Sequence, residues 1–144
     1  RVIGLPGDEI QVIDGLVHIN GEPVERRRLA DFTDTTPGGR TVRIPRYLET
    51  LPNGVSYNVL EARPNALWDN TPVYEVPAGH YFVMGDNRDN SLDSRVQNNV
   101  GFVPFENFVG RAEIIFFSLE EGTAVWQIWR WPTDVRWGRI FDRL

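Results

Sequence analysis

The densest group of chemically reactive side chains lies in residues 85–95. These eleven residues read Gly-Asp-Asn-Arg-Asp-Asn-Ser-Leu-Asp-Ser-Arg, with three aspartates, two arginines and two serines. Aspartate, asparagine and serine often bond to the nearby backbone in turns, so an ordinary surface loop would explain much of this composition. The alternation of aspartate and arginine favours a paired network instead, because the arginine fork binds a carboxylate through two bonds and fixes loop geometry.

Two other chemistries fit these residues less well. No glutamate closes a twelve-residue calcium loop from Asp86, and neither His18 nor His80 has metal-ligand spacing. We therefore expect no metal and no cofactor. His80 is the nearer candidate base for a triad with Ser91 or Ser94, but an ordinary strand histidine is the better interpretation, because nothing else in the sequence supports a triad.

The charged residues are unusual in one respect. All fifteen residues counted as lysine plus arginine are arginine, so the chain contains no lysine and no phosphate-binding G-x-x-x-x-G-K loop. A net charge of −5 argues against nucleic acid as the main partner. The absence of cysteine is compatible with both reducing and oxidising compartments. No apolar run is long enough to span a bilayer.

Most elements that could position the 85–95 loop are predicted to be strands. Glu9–Ile13 and Leu16–Ile19 flank Asp14-Gly15, a strong signal for a two-residue hairpin turn. Residues 80–84 form an apolar strand that leads directly into the loop. Further strand candidates are residues 22–24, Thr41–Ile44, Ser56–Leu60 and residues 109–119. We therefore predict a mostly β, antiparallel protein.

Residues 25–71 differ from their flanks because they are polar and irregular. Three groups interrupt this segment: Arg26-Arg27-Arg28, Pro37-Gly38-Gly39 and Pro52-Asn53-Gly54. We interpret the segment as an inserted, smaller and non-catalytic β lobe. Residues 1–24 and 72–144 would then form an incomplete core domain.

The C-terminal segment predicts a short helix with an aromatic face. Trp137, Ile140, Phe141 and Leu144 follow helical spacing, and Pro132-Thr133-Asp134 is a reasonable helix start. Four tryptophans lie between residues 126 and 137, among arginines, which suits a membrane interface. The alternative is that these rings pack on the sheet and close the core. The acidic chain disfavours single-stranded nucleic acid as their ligand.

The motif at residues 85–95 resembles the last conserved box of bacterial type I signal peptidases, and it matches at every position. Further matches follow in the same order at Gly101-Phe102-Val103-Pro104 and Val109-Gly110-Arg111-Ala112. At the other end, residues 1–8 resemble the box that begins with the catalytic lysine followed by Arg1. Residues 131–136 resemble the tail of Gram-negative members. The segment 25–71 matches by position only, since those members carry a variable lobe there.

The resemblance implies the signal-peptidase-like Ser–Lys protease fold and a membrane-bound serine endopeptidase that cleaves signal peptides from exported preproteins. In that family a serine hydroxyl attacks the peptide carbonyl, and a neutral lysine takes its proton. Ser91 would orient that lysine. The other implied site residues support it: Asp93 and Arg95 hold the loop, Asp86 pairs with Arg1, and Arg88 belongs to the same network. The implied partners are preprotein signal peptides and a membrane lipid surface, with no nucleic acid.

The same resemblance indicates what this sequence lacks. The family's nucleophile lies in a Ser-Met-x-Pro segment, whereas the single methionine here, Met84, follows Val83. We therefore expect a truncated or processed C-terminal part that is inactive by itself and self-associates through an uncovered sheet edge. The implied location is the cytoplasmic (inner) membrane, with the catalytic domain on the periplasmic or outer face. Two alternatives remain open: a related Ser–Lys peptidase that processes a pilin-like or conjugation protein, and a non-enzymatic β-module that binds a membrane surface or a partner through its aromatic tail.

Overall fold

The architecture is a set of short antiparallel sheets, as the sequence predicted. The computed structural model describes residues 1–35 and 39–110, and within these ranges twelve strands form four sheets. Arg1–Phe108 form one compact unit, and Val109–Leu144 form a second unit that lies almost entirely outside the described residues. The predicted strand at residues 109–119 and the predicted C-terminal helix therefore fall outside the described part.

The predicted N-terminal hairpin is present, and a third strand extends it. Strands β2 (Glu9–Ile13), β3 (Leu16–Ile19) and β4 (Glu22–Pro23) pair in sequence order, and β10 (Tyr74–Glu75) adds to the free edge of β2. In the β2–β3 turn, Asp14-Gly15 has φ angles of 48° and 77°. Both central residues thus adopt the positive φ that a type I′ hairpin requires, which explains why this turn is readable in the sequence.

The sheet that leads into the 85–95 loop joins distant parts of the chain. Strand β1 (Val2–Gly4) pairs with β11 (His80–Val83), and β11 also pairs with β12 (Val103–Pro104). The predicted strand at residues 80–84 ends one residue earlier, at Val83. Because Val2 lies opposite Val83, the backbone at residue 1 reaches the start of the loop.

The segment 25–71 contributes two sheets of its own. Strands β5 (Glu25–Arg28), β8 (Arg46–Thr50) and β9 (Ser56–Leu60) form one sheet. The second is a ribbon of β6 (Phe32–Thr35) and β7 (Thr41–Ile44). The bounds of β7 and β9 agree with the prediction. That this segment is a separate, non-catalytic lobe stays a prediction.

One interpretation of the sequence was wrong within that segment. The run Arg26-Arg27-Arg28 is part of strand β5 and does not interrupt the chain. The reason is that Arg26 has partners that let an arginine occupy a strand. Its guanidinium carbon lies 3.8 Å from the centre of the Tyr47 ring, and its Nη2 donates to the carboxylate of Glu61. Stacking and pairing together allow the stem of this residue to be largely buried.

The hydrophobic core extends over the N-terminal sheets and the inserted segment. Four of its side chains are completely buried: Ile10, Val17, Val59 and Phe82. Val59 belongs to β9 of the inserted segment, whereas Phe82 belongs to β11, the strand that leads into the 85–95 loop. These two strands therefore share one core. This packing fixes the position of β11. Among the described residues, no helix is long and apolar enough to cross a membrane.

Candidate active site

The 85–95 loop begins where β11 ends, and its far end is tied back to the same strand. The Val83 amide donates to Ser94 Oγ at 2.9 Å, and the Ser94 amide donates to the Val83 carbonyl at 3.0 Å. Ser94 is completely buried, and a short 3₁₀ turn covers Arg88–Asn90. The loop is therefore folded back against the end of β11 and is not an exposed surface loop.

Asp93 and Arg95 form a buried ion pair inside the loop. Arg95 Nε donates to Asp93 Oδ1 and Arg95 Nη2 donates to Oδ2, both at 2.9 Å. The Gly85 amide also donates to Oδ2, at 3.0 Å. Burial alone would raise the pKa of Asp93, but the bonds from Arg95, the Gly85 amide and Ser91 outweigh it and hold this pKa below its ordinary value. Asp93 is therefore a fixed anion at the base of the loop.

Ser91 lies directly against Gly85. A Cβ atom built on Gly85 would lie 2.1 Å from Ser91 Oγ and 2.5 Å from Ser91 Cβ, far inside van der Waals contact. Only glycine leaves room at position 85 for the serine in this place. The hydroxyl of Ser91 therefore occupies the space in which any other residue at position 85 would have its side chain.

Arg1 reaches the loop through both its backbone and its side chain. The Arg1 nitrogen donates to the Met84 carbonyl at 2.7 Å, and the Met84 amide donates to the Arg1 carbonyl at 2.9 Å. The guanidinium forms two bonds of 3.1 Å to the Asp86 carboxylate. The predicted ion pair between Arg1 and Asp86 is thus confirmed. Both side chains are partly exposed, at 33% and 48%, so the pair is worth little in stability.

Arg88 is bound by a residue that the sequence analysis did not identify. Its guanidinium forms a fork on Glu49 of β8, with Nη1 3.2 Å from Oε1 and Nη2 bonded to Oε2. Glu49 has no exposed surface and Arg88 is only 3% exposed. Tyr57 Oη also donates to Glu49, at 3.2 Å. Burial and the neighbouring Glu49 carboxylate raise the pKa of Tyr57 well above its usual range.

The end of β9 makes a second connection to the loop. The Leu60 amide donates to the Asp86 carbonyl at 2.8 Å. The Asp89 carboxylate accepts bonds from the amides of Ala62 and Arg63, and the Arg63 guanidinium donates to the Asp89 carbonyl at 3.0 Å. The inserted segment therefore contacts the loop at two places, one buried and one exposed.

The two histidines take no part in this network. His18 Nδ1 contacts the Leu16 carbonyl and His80 Nδ1 contacts the Ala78 carbonyl, each at 3.0 Å. Both are local contacts two residues back in the chain. Within the described residues, no group of three or more histidine, cysteine, aspartate or glutamate side chains could hold a metal ion.

The comparisons with known proteins identify the family of this chain. The family model described as signal peptidase, peptidase S26, matches residues 1–117. Signal peptidase I of Rickettsia typhi is 40% identical over 159 residues, and the match covers 100% of this chain and 58% of that protein. Signal peptidase I of Rickettsia prowazekii is 39% identical with the same coverage. The chain spans a little over half the length of these relatives. With a family match over most of its length, the chain belongs to the signal peptidase family, peptidase S26.

Proposed function

We propose that this chain forms the supporting wall of the active site of a serine endopeptidase that removes signal peptides from exported preproteins. In this proposal the reaction follows a Ser–Lys mechanism, in which a serine attacks the scissile carbonyl and a lysine is the general base. The chain supplies neither the reacting serine nor the lysine. It supplies Ser91, which orients the lysine, and the residues that hold Ser91: Arg1, Asp86, Arg88, Asp93 and Arg95.

The observation that carries the proposal is the backbone pairing of Arg1 with Met84. Each of the two residues donates its backbone nitrogen to the carbonyl of the other, so they form a hydrogen-bonded antiparallel pair. In a longer polypeptide, the residue before Arg1 would therefore lie opposite Gly85, with its side chain on the same face as the Cβ direction of Gly85. Ser91 Oγ occupies that direction. By the resemblance, the residue at that position is the family's lysine, so its amine would meet the hydroxyl of Ser91.

This arrangement supplies one of the things that a lysine base needs, an uncharged group that holds its amine in place. A lysine with an ordinary pKa of about 10.4 is protonated near neutral pH, so it has to be desolvated and held in place before it can accept a proton. The hydroxyl of Ser91 is an uncharged hydrogen-bond partner for the lysine amine. The Asp93 carboxylate is already occupied by Arg95 and the Gly85 amide. It therefore fixes the geometry without needing the lysine as its counter-ion.

The 144-residue chain by itself is expected to be inactive. It contains no lysine, and arginine cannot replace one because the guanidinium stays protonated at all working pH values. The α-amino group of Arg1 is not an equivalent base, because it lacks the four-carbon reach of a lysine side chain. A Ser-Met-x-Pro segment is also absent from the sequence. We expect preprotein cleavage only when a second polypeptide supplies both residues.

The direct test is complementation in trans. The chain is assayed on a labelled preprotein alone, and then together with a polypeptide that carries the Ser-Met-x-Pro segment and the lysine. Activity is expected only in the mixture, and Ser91→Ala should lower kcat by about 100-fold, as removal of a group that positions a general base does. Ser56→Ala is the matched control, because the partner of its hydroxyl among the described residues is Thr50 Oγ1, 2.9 Å away in the β8–β9 hairpin. Cleavage by the chain alone, unaffected by Ser91→Ala, would show that the assigned roles are wrong.

The surroundings of the enzyme are part of the same proposal. The protein would lie at the cytoplasmic membrane with this domain on the periplasmic or outer face, and it would need no cofactor. Contact with the lipid surface would come from the aromatic tail, which lies outside the described residues. Self-association through an uncovered sheet edge also stays a prediction. The alternative of a non-enzymatic module rests on that tail alone, so we favour the peptidase.

A further inference from the structure

We propose that Glu49 is a positioning residue of the active site, holding the Ser91 loop from within the inserted segment. This inference rests on the proposed function and extends it. Glu49 lies on β8, in the segment that the sequence analysis interpreted as a non-catalytic lobe. Its role would make that segment a structural part of the catalytic apparatus.

Glu49 is a completely buried carboxylate with three partners. Both of its oxygens bind the guanidinium of Arg88, and Tyr57 Oη donates to Oε2 at 3.2 Å. Arg26 Nε approaches Oε1 at 3.9 Å, although the main partner of Arg26 is Glu61. A carboxylate without exposed surface is retained only when its charge is compensated, and here Arg88 is the closest cation.

Arg88 connects Glu49 to the rest of the loop. Its carbonyl oxygen accepts a 2.6 Å bond from Arg95 Nη2, and the same nitrogen donates to Asp93. Asp93 in turn accepts the Gly85 amide, and Gly85 is the residue against which Ser91 rests. An unbroken series of contacts therefore runs from Glu49 through Arg88, Arg95 and Asp93 to the Ser91 position.

The burial of Arg88 makes the loop sensitive to its partner. The guanidinium is only 3% exposed, and its Nε has no hydrogen-bond partner among the described residues. The carboxylates nearest to it in the sequence are engaged elsewhere: Asp86 with Arg1, and Asp89 with the backbone after β9. Without Glu49, an uncompensated cation would remain in the interior and would have to turn toward water. That movement would pull the Arg88–Asn90 turn, and Ser91 follows it directly.

The test compares Glu49→Gln with the matched variant Glu61→Gln, in a preprotein-cleaving form of the protein. Glu61 is a partly buried carboxylate of the inserted segment, and its side chain binds Arg26, whereas Glu49 binds Arg88 of the loop. We expect Glu49→Gln to lower kcat by about 100-fold with little change in KM, as a displacement of about 1 Å does, and Glu61→Gln to keep the wild-type kcat. Equal kcat values for the two variants would overturn the proposal.

Loss of stability is separated from loss of position by a double variant, Glu49→Met with Arg88→Met. Replacing a buried ion pair by apolar residues of similar volume is often neutral or stabilising, so this variant should fold even where Glu49→Gln does not. We expect its thermal midpoint to be close to wild type while kcat stays about 100-fold low, because apolar packing lacks the two directed bonds between residues 49 and 88 that fix the turn. A folded double variant with wild-type kcat would refute the positioning role.

Amide hydrogen exchange gives a readout that does not depend on cleavage. The Gly85 and Ser94 amides should exchange faster in Glu49→Gln than in Glu61→Gln, because their bonds, to Asp93 and to the Val83 carbonyl of β11, hold the two ends of the loop in place. Unchanged exchange would overturn the inference even if no cleavage is observed. Conversely, a wild-type protein that cleaves, loses activity on Ser91→Ala and keeps it on Glu49→Gln would leave the proposed function intact and remove this inference alone.

Discussion

Replacing Gly85 with alanine tests the position of Ser91 by adding a single methyl group. The backbone at residue 85 does not have a positive φ, so alanine fits its conformation without strain. The new Cβ would lie 2.5 Å from Ser91 Cβ, whereas ordinary contact begins at 3.4 Å. Ser91 therefore has to move by about 1 Å, and a misplacement of that size lowers turnover by about 100-fold.

The stability cost of this substitution should be smaller than its effect on activity. Inserting a methyl group into a packed site costs about 1–3 kcal/mol, which thermal or urea unfolding resolves easily. Adding Ser91→Gly to Gly85→Ala removes the clash, so it should restore stability without restoring cleavage. If stability is restored while cleavage stays low, the loss of activity comes from the missing or displaced hydroxyl and not from unfolding.

The matched control is Gly110→Ala. Among the described residues, a Cβ on Gly110 meets no atom within 4 Å, and its φ is likewise not positive. The assay is single-turnover cleavage of a labelled preprotein by a complemented or longer form of the protein, with unfolding measured in parallel. If Gly85→Ala cleaves like wild type and unfolds at the same midpoint, then Ser91 does not lie where the structure places it.

Three further predictions concern the ion pairs and the core. Arg1→Ala and Asp86→Asn should each change the unfolding free energy by less than about 1 kcal/mol, and a double-mutant cycle should show their coupling vanishing in about 1 M salt. Asp93→Asn leaves buried Arg95 uncompensated and should cost about 3–5 kcal/mol near neutral pH. Because the folded pKa of Asp93 is depressed, its stabilisation is present above the unfolded pKa of about 3.9 and is lost as pH falls through the folded value, so urea midpoints of variant and wild type should converge on acidification. Phe82→Ala, in a side chain with no exposed surface, should cost about 3–5 kcal/mol in urea unfolding.

The parts of the fold that the sequence predicted are those set by short-range signals. The β2–β3 hairpin depends on Asp14-Gly15, and the loop after β11 depends on the change from apolar to polar residues at Gly85. Strand β5 was missed because its alternation is hidden by three consecutive arginines. Whether an arginine can occupy a strand depends on partners such as Tyr47 and Glu61, which are far away in the sequence.

The same limit applies to the candidate site. The density of charge in residues 85–95 pointed to a paired network, and the pair of Asp93 with Arg95 needs only two residues of separation. The pair of Arg1 with Asp86 was predicted only through the family resemblance, because no local signal joins residues so far apart. Glu49 was not identified at all. The sequence signal for Glu49 is that it lies two residues after Tyr47 and two before Leu51, and therefore on the same face of the strand as these apolar side chains. That signal can be used only when it is known that this face of β8 is buried.

The ribbon of β6 and β7 has a practical consequence for experiments on this protein. Among the described strands, these two pair only with each other, and every residue of β6 is exposed. Since the sequence has no cysteine, Thr33→Cys would give the chain a single thiol. Thr33 pairs with Arg43 of β7, so the thiol would lie on the ribbon, in a different sheet from the strand that leads into the 85–95 loop. A fluorophore coupled there would report the tumbling and proximity of the domain at a bilayer while leaving the contacts of Glu49 and Ser91 untouched.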